Sequence, residues 1–133
     1  MAAFDRQVAV ADGTLRPCRL VASETPPWRF AAEVEGIGRF ETESRDLFDA
    51  LAACRLWLAG HGAILLVAGA ARDVYPSGMM RENGGRMAYR IRLGRRAERA
   101  DVVDIFAPAD PCAIATVAEQ KENFEGWRRS LAP

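Results

Sequence analysis

His61 is the only histidine among 133 residues, and it stands between Gly60 and Gly62. A histidine titrates near neutrality and can serve as a general base. Nucleophilic catalysis also needs a nucleophile beside that base and a third group to orient it, and neither lies near His61 along the chain. At a helix end its imidazolium would instead favour the negative pole of the helix dipole. Ser77, in Tyr75-Pro76-Ser77-Gly78, resembles the serine of a hydrolase elbow only superficially. That elbow requires glycine two residues before and two after the serine, and Tyr75 and Met79 hold those places. Pro-Ser-Gly reads as a turn, with proline fixing φ and glycine accepting a positive one. Asn83-Gly84-Gly85 lacks the Gly-Lys-Ser/Thr ending of a phosphate loop, and a strand pattern follows it rather than a helix. Cys18, Cys54 and Cys112 are odd in number and far apart, with no CxxC or Cys/His spacing. Neither a disulfide framework nor a zinc site is expected. These residues predict no catalytic set, no metal and no cofactor.

Binding chemistry is better represented. The segment Gly69–Gly94, "GAARDVYPSGMMRENGGRMAYRIRLG", lies between an apolar run (63–68) and an alternating one (87–93). Its middle has no apolar period but carries Arg72, Asp73, Tyr75, Met79, Met80 and Arg81. Connections well beyond the usual ~4–6 residues are commonly functional or disordered, and methionines adapt to irregular partner surfaces. Arg86, Arg90 and Arg92 alternate, which places them on one strand face, and Arg95, Arg96 and Arg99 crowd the next turn. Such a stripe could neutralise phosphates. Tyr89 is expected on the opposite face, however, leaving no ring beside the arginines to stack a base. A solvated face paired with glutamates of the N-terminal strands is the simpler expectation, and nucleic acid is not the expected partner. Docking of an oppositely charged protein is a further use. The expected binding residues are Arg72, Asp73, Tyr75, Met79, Met80, Arg81, Arg90 and Arg92.

The elements that must hold these residues follow from periodicity. Phe4, Val8 and Val10 alternate before Asp12-Gly13, a tight-turn dipeptide. Cys18, Leu20 and Ala22 alternate next, with Pro17 suggesting an edge or a strand start. Thr25-Pro26-Pro27 breaks that strand, after which Trp28, Phe30, Ala32 and Val34 alternate, and Gly36 permits a turn into residues 37–42. Four strands of this kind form a meander with one wet and one buried face. Ser44 is placed as the cap of a helix, with Asp46 in its first turn. Leu47, Leu51, Cys54 and Leu58 form the apolar stripe of that helix, widened by Phe48 and Trp57. Residues 63–68 read as a continuously apolar strand central in the sheet. Residues 87–93 and 101–106 supply further strands. Asp110-Pro111 marks a second helix start, with Ala113, Val117, Gln120, Phe124, Trp127 and Leu131 on its packing face. Trp28 and Trp57 are placed in the core, and Trp127 at a wet edge. The result is one α+β domain over residues 1–133. It has a mostly antiparallel sheet, a four-stranded meander plus about three further strands, and two helices.

Composition bounds the rest. Half the residues are hydrophobic and 27% are charged, ordinary for a globular domain of this length. No apolar run approaches the ~20 residues of a membrane span, and Asp5 and Arg6 interrupt any leader pattern. A soluble, cytoplasmic protein is expected. Seventeen arginines stand beside one lysine, and the net charge is zero. The charge is segregated nonetheless. Residues 24–49 hold seven acids against three arginines, residues 72–99 eight arginines against three acids, and residues 101–125 six acids against one lysine.

The order "RDLFDALAACRLWLAGHGAILLVAGAARDVYPSGMM", then "AYRIRLG" and "DVVDIF", resembles small, mostly uncharacterised bacterial proteins. Some of these are similar to immunity proteins encoded beside polymorphic toxins. The resemblance spans roughly residues 28–107 and implies no catalytic residue. It implies a non-enzymatic domain that covers a toxin-like protein partner. Two alternatives stay open. One is a ligand-binding or enzymatic pocket formed by His61, Arg72, Asp73, Tyr75 and Ser77. The other is nucleic-acid binding through the arginine face of residues 86–99.

Overall fold

Alternation builds the N-terminal half. The computed structural model describes residues 1–132, and its first four strands are β1 (Ala2–Val10), β2 (Leu15–Ala22), β3 (Trp28–Val34) and β4 (Gly38–Ser44). They form an antiparallel meander in the order β4-β3-β2-β1. Their inward residues, Val8, Cys18, Leu20, Phe30, Ala32 and Val34 among them, are buried. Helix α1 (Leu47–Ala59) lies on that face and buries Leu47, Leu51, Cys54 and Leu58, the stripe read from spacing. Its N-cap is Asp46 rather than Ser44, which closes β4. The Asp46 carboxylate accepts the Asp49 N–H at 2.8 Å, satisfying one of the orphan donors of the first turn.

Strand β5 (Ala63–Leu65) pairs with β1 alone and lies last in the sheet order, not centrally. Ile64 is 39% exposed, and the buried run from Leu65 to Ala68 is covered where the chain returns alongside it. Ala68 N–H donates to Ala107 C=O at 2.7 Å, and Ala109 N–H donates to Leu66 C=O at 3.1 Å. Continuous apolarity therefore reports the covered run at residues 65–68, not a central place in the sheet.

The long segment after residue 68 is structured. A 3-10 turn at Ala68–Ala70 leads to β6 (Val74–Tyr75), and a short helix, α2 (Gly78–Glu82), follows. Ser77 caps α2, its hydroxyl accepting the Met80 N–H at 3.2 Å. This third helix lacks an apolar period because none of its residues is buried. Strands β7 (Met87–Arg90) and β8 (Val102–Asp104) join β6 in a second antiparallel sheet, ordered β6-β7-β8. The phase of β7 differs from the expected one. Within the strand Ala88 is buried while Met87 is exposed, and past its end at Arg90 the alternation is not kept, with Ile91 buried and Leu93 exposed.

Phe106 joins the two sheets. It is fully buried and stacks on Phe30 at 5.6 Å and on Phe4 at 5.1 Å. Burial of such a ring contributes roughly 1.5–3 kcal/mol. The last helix, α3 (Val117–Ser130), begins later than Asp110-Pro111, which opens only a 3-10 turn. Thr116 and Glu119 form its capping box, a Ser/Thr-x-x-Glu signature visible in the sequence.

Gln120 is the one fully buried residue of α3, and it meets Arg55 of α1, which is only 6% exposed. Gln120 Nε2 donates towards the carbonyls of Gly69, Ala71 and Val74 at 2.8–2.9 Å. Arg55 donates to Gln120 Oε1 at 2.6 Å and to Ala115 C=O at 2.7 Å. No carboxylate pairs with this guanidinium among the described residues. Burial pulls its pKa down to about 10, which leaves it charged at neutrality. The network fastens α3 and the 68–74 segment onto α1. No helix among the described residues is long and apolar enough to cross a membrane.

Candidate functional site

Four of the eight expected binding residues are held in internal ion pairs. Arg81 NH1 contacts Asp46 at 3.1 Å and Asp49 at 3.0 Å, and its guanidinium lies over Phe48 and Tyr75. Partial burial pushes Asp49 up, but hydrogen bonds from Arg45 and Arg81 outweigh it and hold the carboxyl below its ordinary range. The Asn83-Gly84-Gly85 turn closes on the same spot. Gly84 C=O accepts the Leu47 N–H at 2.7 Å, and a Cβ on Gly85 would stand 2.8 Å from the Asp46 carboxylate. The segment around Arg81 is thus an anchor for the start of α1. Asp73 pairs with Arg90 at 3.3 Å, and Arg72 pairs with Glu119 at 3.4 Å.

The other expected residues divide. Met79 is 72% exposed and Met80 is half-buried. Arg92 is exposed and unpaired among the described residues. Tyr75 leads to a site that the sequence did not reveal. Its ring stacks on Phe124 of α3 with centroids 4.0 Å apart, and Phe124 stacks on Trp127 at 6.0 Å. These rings, with Tyr89, Ile91 and Leu131, wall a cleft of about 370 Å³ that Arg96 borders. Ser77 also reaches this cleft, whereas His61, Arg72 and Asp73 do not. His61 instead caps the end of α1, with Nδ1 3.0 Å from Trp57 C=O.

The turn at residues 91–99 is held against α3 by two bonds. Trp127 Nε1 donates to Arg95 C=O, and Gly94 N–H donates to Ser130 Oγ, each at 2.8 Å. This docking brings the turn that carries Arg92, Arg95 and Arg96 beside the last turn of α3, which carries Arg128 and Arg129. None of these five makes an ion pair among the described residues, while eight other arginines do. The pairing partners of the basic strand are also unlike those expected. Arg86 meets Asp104 at 3.0 Å and Arg90 meets Asp73, both within the second sheet, so meander glutamates are not involved. Tyr89 lines the cleft, which Arg96 of the following turn borders and Arg86, Arg90 and Arg92 do not.

No protein-family model matches the chain, and no curated protein matches it. The site therefore stands on its own geometry. Among the described residues no cluster of His, Cys, Asp and Glu is placed to hold a metal ion. Burial pushes the Cys18 and Cys54 thiols up to about 12, so neither is a ready nucleophile. The cleft can receive an apolar side chain, and its arginine lip can receive negative charge.

Sequence reasoning missed Phe124, Trp127 and Tyr89 as site residues because their spacing reads as packing. The stripe of α3 is real, but only Gln120 on it is fully covered and the rings stay half-buried. A polar glutamine in that stripe was the available signal that this face is not ordinary core.

Proposed function

We propose that the protein is a non-enzymatic protein-binding domain that meets its partner at the aromatic cleft and arginine patch beside α3. The observation that carries this reading is the gathering of five arginines without ion pairs, Arg92, Arg95, Arg96, Arg128 and Arg129, next to a half-open aromatic cluster. Tyrosine, tryptophan, phenylalanine and arginine are enriched in protein interfaces and at their energetic centres. Unpaired surface charge sets encounter rate and partner choice. Met79 adds exposed apolar surface on the adjoining α2.

The specific form of the proposal is an immunity-type inhibitor of a bacterial toxin, acting in the cytoplasm by covering its target. The segregated charge and the resemblance of residues 28–107 support that form. Co-expression with the product of the adjacent gene tests it. A stable complex on size-exclusion chromatography, protection of the host from that product, and loss of both with Arg92→Glu and Arg96→Glu are expected. If the neighbour is no toxin and forms no stable complex, the immunity form is wrong.

A further inference from the structure

Beside the cleft lies a notch of about 40 Å³ lined by Arg90, Arg92, Arg95, Arg96, Glu98 and Asp101. Arg96 and Ala97 line both the notch and the cleft, so the two are contiguous. The notch exceeds the ~10–15 Å³ of accessible space that one water needs and is far smaller than the cleft, a size that suits a carboxylate rather than a ring. Its own acids are engaged or outnumbered. Asp101 accepts the Glu98 N–H at 2.8 Å in a capping box, and Asp73 already neutralises Arg90. Arg92, Arg95 and Arg96 remain against Glu98 and Asp101, and Arg99 follows on the same turn. The cleft falls at the lower end of ~300–1,000 Å³ ligand pockets, and its walls are rings and aliphatic side chains.

We infer that this double site takes an acidic polypeptide segment with an aromatic or large aliphatic residue flanked by carboxylates. The apolar residue enters the cleft and a neighbouring carboxylate enters the notch, where arginine forks bind it with charge-assisted hydrogen bonds. Single-stranded nucleic acid fits less well. Base stacking needs free ring faces, and here Tyr75 and Phe124 face each other while Arg81 lies over Tyr75 and Arg128 over Phe124. A long phosphate chain would also leave the patch for a protein surface whose net charge is zero overall. This inference rests on the protein-binding reading and narrows it to one chemistry of partner.

Fluorescence anisotropy with a short labelled Glu-Glu-Phe-Glu-Glu peptide tests the inference on the full chain. Binding that weakens with added salt is expected. Replacing the peptide phenylalanine by alanine, or its glutamates by lysines, should weaken binding at least about tenfold, as should Arg96→Glu in the protein. Arg39→Glu, on the meander, should leave binding unchanged, and thermal melting should show both variants folded. Absence of peptide binding, indifference to Arg96→Glu, or tighter binding of an oligothymidine strand overturns the inference. A natural-partner complex that survives Arg96→Glu also overturns it while leaving a protein-binding role intact. Failure of both peptide and natural partner removes the two readings together.

Discussion

In the meander, Arg19, Arg29 and Arg39 stand directly across their strand ladders from Asp5, Glu43 and Glu33, and each pair is in contact. At the far end of the chain, Arg92, Arg95, Arg96 and Arg99 have no such acid among the described residues. The contrast separates two uses of one residue type. Cross-strand pairs on an exposed face favour register by a few tenths of a kcal/mol. Unpaired arginines held on a docked turn do nothing comparable for the fold, and they keep their field for an incoming group. Charge balance along the sequence does not distinguish the two, because pairing is decided by what lies across the sheet.

The strongest way to break this contrast is to collapse the frame that both regions share. Phe106→Ala should cost about 3–5 kcal/mol, as large-to-small changes at well-packed aromatic sites do. Urea unfolding would register it as a lower midpoint, and an unchanged midpoint would remove Phe106 as the junction. Gln120→Leu should cost about 1–3 kcal/mol, by leaving Arg55 and three buried carbonyls short of a partner. Hydrogen exchange should then rise first in α3 and the 68–74 segment. If protection falls evenly over the molecule instead, the network does not fasten α3 in particular.

Arg81→Ala should act on stability rather than directly on partner binding, by about 1–3 kcal/mol, because Asp46 is left buried beside a lost donor. A companion effect involves pH. The lowered Asp49 carboxyl contributes stability that is fully present well above its ordinary value of 3.8 and is lost as pH falls through the lower folded value. Asp49→Asn should flatten the acid limb of a stability–pH curve between those two values. A limb of unchanged slope would show that the pair carries no such linkage. The smallest effect belongs to the patch, where Arg96→Glu should leave the unfolding midpoint within about 0.5 kcal/mol of the parent. A larger loss would make Arg96 a structural residue and erase the contrast.

The parts legible in the sequence are those whose physics is local. Alternation located β1 to β4, and the 47-51-54-58 spacing located the buried face of α1. Asn83-Gly84-Gly85 was readable as a turn from its glycines. Pro76-Ser77-Gly78, expected as a turn with glycine at positive φ, instead starts α2, with Ser77 as its cap and Gly78 as its first residue. The expected binding segment was readable only as unusual. Four of the eight expected binding residues proved to be committed to ion pairs, and the length of the segment was occupied by β6 and α2. Arg55 was invisible as an interior residue, since nothing in its neighbours along the chain announces the carbonyls that receive it.

The amino-acid sequence by itself determined an α+β chain with antiparallel strands, its meander and the apolar faces of its two longer helices, because periods of two and 3.6 residues are properties of consecutive positions. Only the tertiary structure decided which arginines are neutralised, that Tyr75 stacks on Phe124, and that the turn at 91–99 docks on α3 to build the cleft. The stacking and the docking join residues some thirty to fifty positions apart. Ion pairing and ring stacking act across a few ångströms of space, and no spacing along the chain encodes that proximity.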